Sequence, residues 1–175
     1  MKKTLLSLAI ASLAAGQSVC AAVEKVYNEP DSVYIFSYAH PEDEGRSGLK
    51  FAWSPDGDKW LSVSDGFAYL KCDFGRWGAE KRMIKPLLEK AEDGRWYCRW
   101  QLTPSGKVWG TSHSSDLLKW APQQYVNAEK PAVPRLVTAR QIVLDKDTLN
   151  GYMQKVPYAD IEQLIRFAEH KKFRD

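Results

Sequence analysis

Carboxylates, cations and rings gathered in one loop are the side chains of this chain that can do chemistry. Trp77 lies between Gly75 and Gly78 and is followed at once by Glu80, Lys81 and Arg82. Glycines on either side let the backbone turn sharply and present the ring. An indole among hydrogen-bonding side chains suits a carbohydrate, whose flat apolar face stacks on a ring while its hydroxyls need polar partners. In that reading Trp77 is the platform, Glu80 and Arg82 are the hydroxyl partners, and His113 with the Glu42 to Glu44 loop, Asp43 included, forms the rim. The competing reading makes Trp77 a plug in the seam between two sheet units, with Glu80 and Arg82 paired across it.

Hydrolysis of a glycoside needs more, namely two carboxylates about 5 Å apart, or somewhat further apart for inversion. Asp43 and Glu80 come nearest to such a pair, and no motif fixes either beside a partner, so no catalytic residue is assigned. Neither a Gly-x-Ser-x-Gly elbow nor a phosphate loop occurs. His40, His113 and His170 are too scattered to complete a zinc site with two cysteines. No cofactor or metal is expected. Cys72 and Cys98 can form a disulfide in an oxidising compartment, or remain buried thiols.

These residues are positioned by a unit used twice. LKFAWSPDGDKW, from Leu49 to Trp60, returns sixty residues on within KVWGTSHSSDLLKW, and both copies read Ser-x-Asp-x-x-Lys-Trp. The matches are Ser54, Asp56, Lys59 and Trp60, then Ser114, Asp116, Lys119 and Trp120. Each copy follows an aromatic, strand-like run, VYIFSY from Val33 and WYCRW from Trp96. The motif reads as a turn in which Ser and Asp bond backbone N–H groups, closed by a Trp that opens the next strand. Short-strand repeats of roughly 40 to 50 residues are typical of propeller blades, whose units cannot bury their faces alone.

The expected fold is therefore mainly β, a partial β-propeller-like arrangement of about two blades of antiparallel strands, with a C-terminal α-helix. Residues 1–22 read as a cleaved signal peptide: Lys2 and Lys3, an apolar run from Leu5 to Ala15, and small residues up to Ala22. That run is too short for a permanent span, and Gln17-Ser18-Val19 before Cys20 is a poor lipidation signal. A periplasmic or secreted location follows. Residues 23–126 form the two-unit domain, and 127–157 a linker with one extra strand from Leu136 to Leu144. In 158–175, Ile161, Leu164, Ile165 and Ala168 fall on one helical face. That stripe must lie on the strands or on a partner. Net charge is +3 with both signs interspersed, which gives no electrostatic footprint for nucleic acid.

Several stretches resemble a known family. DSVYIFSY, EGRSGLKFAWSPDGDKW, FGRWGAEKRM and GRWYCRW are similar to the N-terminal region of secreted Bacteroidetes-type α-L-arabinofuranosidases of glycoside hydrolase family 51. That region is itself similar to the five-bladed propeller of family 43 glycosidases. The tail, NGYMQKVPYADIEQLIRFAEHKKF, looks like the segment that leads there toward the catalytic part. The resemblance implies a truncated, accessory region of such a hydrolase that contacts arabinose-containing plant cell-wall glycan rather than cleaving it. It also implies a catalytic glycosidase domain as a partner reached through the C-terminal helix. An active arabinofuranosidase and a purely structural docking module are the alternatives. Family 43 enzymes often carry Arg-Asp-Pro in the strand that opens a blade. The similar position here reads Ile84-Lys85-Pro86, and a lysine cannot act as that base.

Overall fold

The computed structural model describes residues 30–63, 66–76, 81–105, 107–127 and 133–172. The chain is mainly β: among the described residues there are nine strands in two antiparallel sheets, then one C-terminal helix, with neither sheet closed into a barrel. The first sheet holds β1 (Ser32–Tyr38), β2 (Lys50–Ser54), β3 (Leu61–Ser62), β8 (Val137–Leu144) and β9 (Asp147–Pro157), in the order β3-β2-β1-β9-β8. The second is the meander β4 (Ile84–Lys90), β5 (Trp96–Gln101), β6 (Val108–Ser114) and β7 (Gln124–Asn127). Together they form a partial, sandwich-like pair.

Their burial follows from sequence pattern. WYCRWQ in β5 alternates cleanly, sending Trp96, Cys98 and Trp100 inward and leaving Tyr97, Arg99 and Gln101 half-buried, as period-2 side chains must. VYIFSY in β1 is apolar nearly throughout, because this strand lies between β2 and β9 and both its faces are covered. Val33 and Ile35 join the main core with Phe51, Leu88, Trp96 and Trp100, whereas Phe36 and Tyr38 join a second cluster with Ile142, Leu144 and Leu149. Two glycines make room for rings. A Cβ on Gly110 would collide with the Trp100 indole, and one on Gly151 with the Ser37 carbonyl and the Phe36 ring.

The repeat is present in three dimensions. Ser54 Oγ accepts from the N–H of Gly57 at 2.8 Å, and Asp56 Oδ1 from Asp58 and Lys59 at 2.9 and 3.0 Å. In the second copy Ser114 Oγ accepts from Leu117 at 2.9 Å, and Asp116 Oδ1 from Leu118 and Lys119 at 2.9 and 2.8 Å. The fourth residue of the motif, directly after the Asp, is left-handed in both, with φ +85° at Gly57 and +63° at Leu117. One copy closes the first sheet and the other the second.

The stretch 127–157, expected as a linker with one extra strand, holds two. β8 matches the expected Leu136 to Leu144 strand, and β9, the longest strand, was not foreseen. It reads as polar and loop-like because its neighbours leave much of it half-exposed. The first unit is therefore not self-contained within 23–126, since β8 and β9 complete its sheet.

A 3-10 turn at Tyr158–Asp160 precedes the helix α1 (Glu162–Lys172). Ile161, Leu164, Ile165 and Ala168 are all buried in the main core. Covering such a stripe stabilises by about 1.5–3 kcal/mol for each large side chain. The stripe is therefore packed into the chain's own main core, with Val33, Ile35, Phe51 and Trp96 among its other members. Ser37 Oγ donating to the Pro86 carbonyl at 3.0 Å, Lys90 N–H donating to Gln154 Oε1 at 3.1 Å, and the Lys90–Asp160 ion pair fasten β4 across the first sheet.

Candidate functional site

The loop from Pro41 to Ser47 is shaped by Asp43. Its carboxylate accepts from the N–H groups of Gly45 at 2.9 Å and Ser47 at 2.8 Å. Burial pushes this carboxyl up, but hydrogen bonds from Ser47 and Gly45 outweigh it and hold it below the usual range. Asp43 is thus spent on its own loop. Gly45 takes a φ of +81° and lies so close to Met83 that any side chain would meet the Met83 carbonyl. The Met83 N–H returns a bond to the Gly45 carbonyl at 3.0 Å. This clamp brings Glu44 within 2.8 Å of Arg82 and 3.0 Å of Arg46.

Between that loop, the start of β4 and β9 lies a cavity of about 330 Å³. Met83, Ile84 and Pro86 give it an apolar floor, and His40, Lys85 and Asn150 supply polar atoms at its wall. A shallower cavity of about 600 Å³ shares Lys85 and Asn150 and adds Arg140, Gln141 and Tyr152, so the two run together as one groove. Burial pushes the Tyr152 phenol up, which keeps it a neutral hydrogen-bonding group.

Lys85 stands at the centre of the groove and is exposed. Its φ of +49° places a non-glycine residue in the left-handed region directly before a proline, a conformation disfavoured on both counts. The strain falls at a bulge between Ile84 and Leu87, where the pairing of β4 with β5 shifts register. Bulges and strained backbone of this kind re-aim side chains and gather at working sites.

The expected site residues are brought together only in part. Arg82 and the Asp43 loop meet at the groove through Glu44. His113 sits on β6 with its ring 5.7 Å from Tyr97 across the strands, and it is not among the described residues that line the groove. Trp77 and Glu80 lie outside the described residues. Cys72 and Cys98 are both buried free thiols, so the disulfide is not formed. Burial pushes the Cys98 thiol well up, which makes it inert. Asn150 and Tyr152 are not legible in the sequence because β9 reads as linker, and Arg140, on the expected strand β8, has no motif to mark it. The unlike residue pair Lys85-Pro86 was the available signal for the groove.

Chemically, the groove offers amides, two guanidinium groups, an ammonium and an imidazole above an apolar floor. Glu44 is the single carboxylate among the described residues that line it, and two arginines hold it. That arrangement can bind and orient a polyhydroxylated ligand. Among the described residues no second acid lines it to make the carboxylate pair of glycoside hydrolysis. No group of His, Cys, Asp and Glu among the described residues can hold a metal, and no helix among them is long and apolar enough to cross a membrane. No protein-family model, curated protein or solved structure matches this chain.

Proposed function

We propose that this chain is a secreted or periplasmic β module that contacts plant cell-wall glycan without cleaving it, as an accessory region of an arabinofuranosidase-like system. The observation that carries the reading is the groove centred on Lys85. Its hydrogen-bonding wall and apolar floor suit a sugar, while Glu44, the one carboxylate among its described lining residues, is paired with Arg82 and Arg46. The resemblance to family 43 glycosidases points to the same place, since Lys85 stands where those enzymes carry an acid. Arabinose as the sugar rests on that resemblance alone.

Isothermal titration of the full chain with arabino-oligosaccharides tests the reading, with wild type set against Lys85→Ala and Trp77→Ala. Binding weakened by Lys85→Ala supports the groove, and weakening by Trp77→Ala extends the site to the 75–82 loop. Equal heats from wild type and Lys85→Ala would remove the groove from the site. Release of sugar from a chromogenic arabinofuranoside by the purified chain would replace the binding module with an enzyme.

A further inference from the structure

A second cleft opens where the first repeat closes, on the side of α1, and it shares no lining residue with the groove. Trp53 of β2, Trp60 after the turn and Ser62 of β3 line a cavity of about 410 Å³ against Ile165 of α1, with Asp145 and Glu169 at its edge. Both indoles are half-buried. Each is braced by another ring, Trp60 by Phe36 at 5.5 Å and Trp53 by Tyr158 at 6.2 Å. Among the described residues neither indole N–H has a hydrogen-bond partner, whereas the repeat-related Trp120 donates its N–H to the Leu117 carbonyl at 3.2 Å. Asp145 and Glu169 are exposed and form no ion pair among the described residues.

We propose that this cleft is a binding site for a neutral sugar, whose ring stacks on an indole while its hydroxyls donate to Asp145 and Glu169. The chemistry selects that class. A braced indole offers a flat apolar face that costs little entropy to present. Free carboxylates accept from hydroxyls as charge-assisted bonds, and the open N–H groups take hydroxyl oxygens in return. Two acids with no cation in the lining repel uronates and sulfated sugars. The volume is that of a small-ligand site rather than of a lone ammonium ion.

The site goes beyond the groove and is tested apart from it. The full chain carrying Lys85→Ala, in which the groove is disabled, is titrated with neutral arabino-, xylo- and galacto-oligosaccharides. Saturation-transfer NMR and calorimetry give the readouts. Binding persists in that background, and Asp145→Asn combined with Glu169→Gln, both exposed changes that leave packing alone, raises Kd about tenfold. Trp60→Phe keeps a ring against Phe36 and weakens binding less. Absence of binding up to ~10 mM sugar, or a Kd unmoved by the double variant, overturns the cleft. So does binding of tetramethylammonium in place of sugar, which would mark a cation site instead. Wild type and Lys85→Ala behaving alike would remove the groove while leaving the cleft standing.

Discussion

The two copies of the repeat share a turn and differ in what surrounds it. Ser54 with Asp56 and Ser114 with Asp116 gather the same backbone N–H groups at nearly the same distances. At the left-handed position the first copy has Gly57, which packs against the Tyr34 ring, whereas the second has Leu117, fully buried in the main core. After the turn, the first copy continues into a two-residue strand and leaves the Trp60 N–H open. The second leads to β7, with the Trp120 N–H satisfied. A Ser-x-Asp spacing thus dictates the local hydrogen bonds, and the neighbouring layer decides whether the space beside them is filled or left as a cleft.

Breaking the filled copy has the largest effect. Leu117→Ala leaves a core void and costs about 2–5 kcal/mol in denaturant unfolding, and a loss well under that range would show that Leu117 does not anchor the second copy. Next come Ser54→Ala and Ser114→Ala. Each strands a buried backbone N–H, that of Gly57 or Leu117, at a cost of about 1–3 kcal/mol. Similar losses are expected, and a large inequality would separate the two turns. Smaller again is the indole test: Trp120→Phe forfeits a bond worth about 0.5–1.5 kcal/mol that Trp60→Phe does not, so thermal unfolding should fall further for Trp120→Phe.

Acid gives the finest comparison. Backbone N–H groups of Lys59 and Asp58 hold the Asp56 carboxyl down to about 2, against an ordinary 3.8. In Asp116 burial pushes the other way, but the N–H groups of Lys119 and Leu118 prevail and the shift is also downward. A depressed carboxyl stabilises the folded chain above its unfolded pKa, and that contribution disappears as pH falls through the folded value. Stability should therefore drop between about pH 4 and 2, and Asp56→Asn should flatten part of that drop. An unchanged slope would mean that Asp56 binds its proton equally well in the folded and unfolded states.

Much of this architecture was legible in the residues. Aromatic runs located β1 and β5, the repeated motif located both turns, and the apolar stripe located α1. β9 escaped because DTLNGYMQKVP alternates poorly and owes its strand state to pairing with β1, 115 residues away for Ser37 and Tyr152. The groove escaped with it, since Asn150 and Tyr152 reach Lys85 only once that hairpin is in place. The setting of His113 was equally hidden, because its ring pair with Tyr97 follows from the register of β5 against β6 rather than from its neighbours in sequence.

The antiparallel marriage of β1 to β9 also governs the order in which the molecule can be assembled. As the polypeptide emerges from the ribosome, the meander ending at Asn127 has all its strands while β1 still lacks one flank. Until residue 157 has been made, that flank presents unpaired N–H and C=O groups to any passing strand. Closing so long a loop is slow, so nascent chains halted before β9 are the species most prone to aggregate.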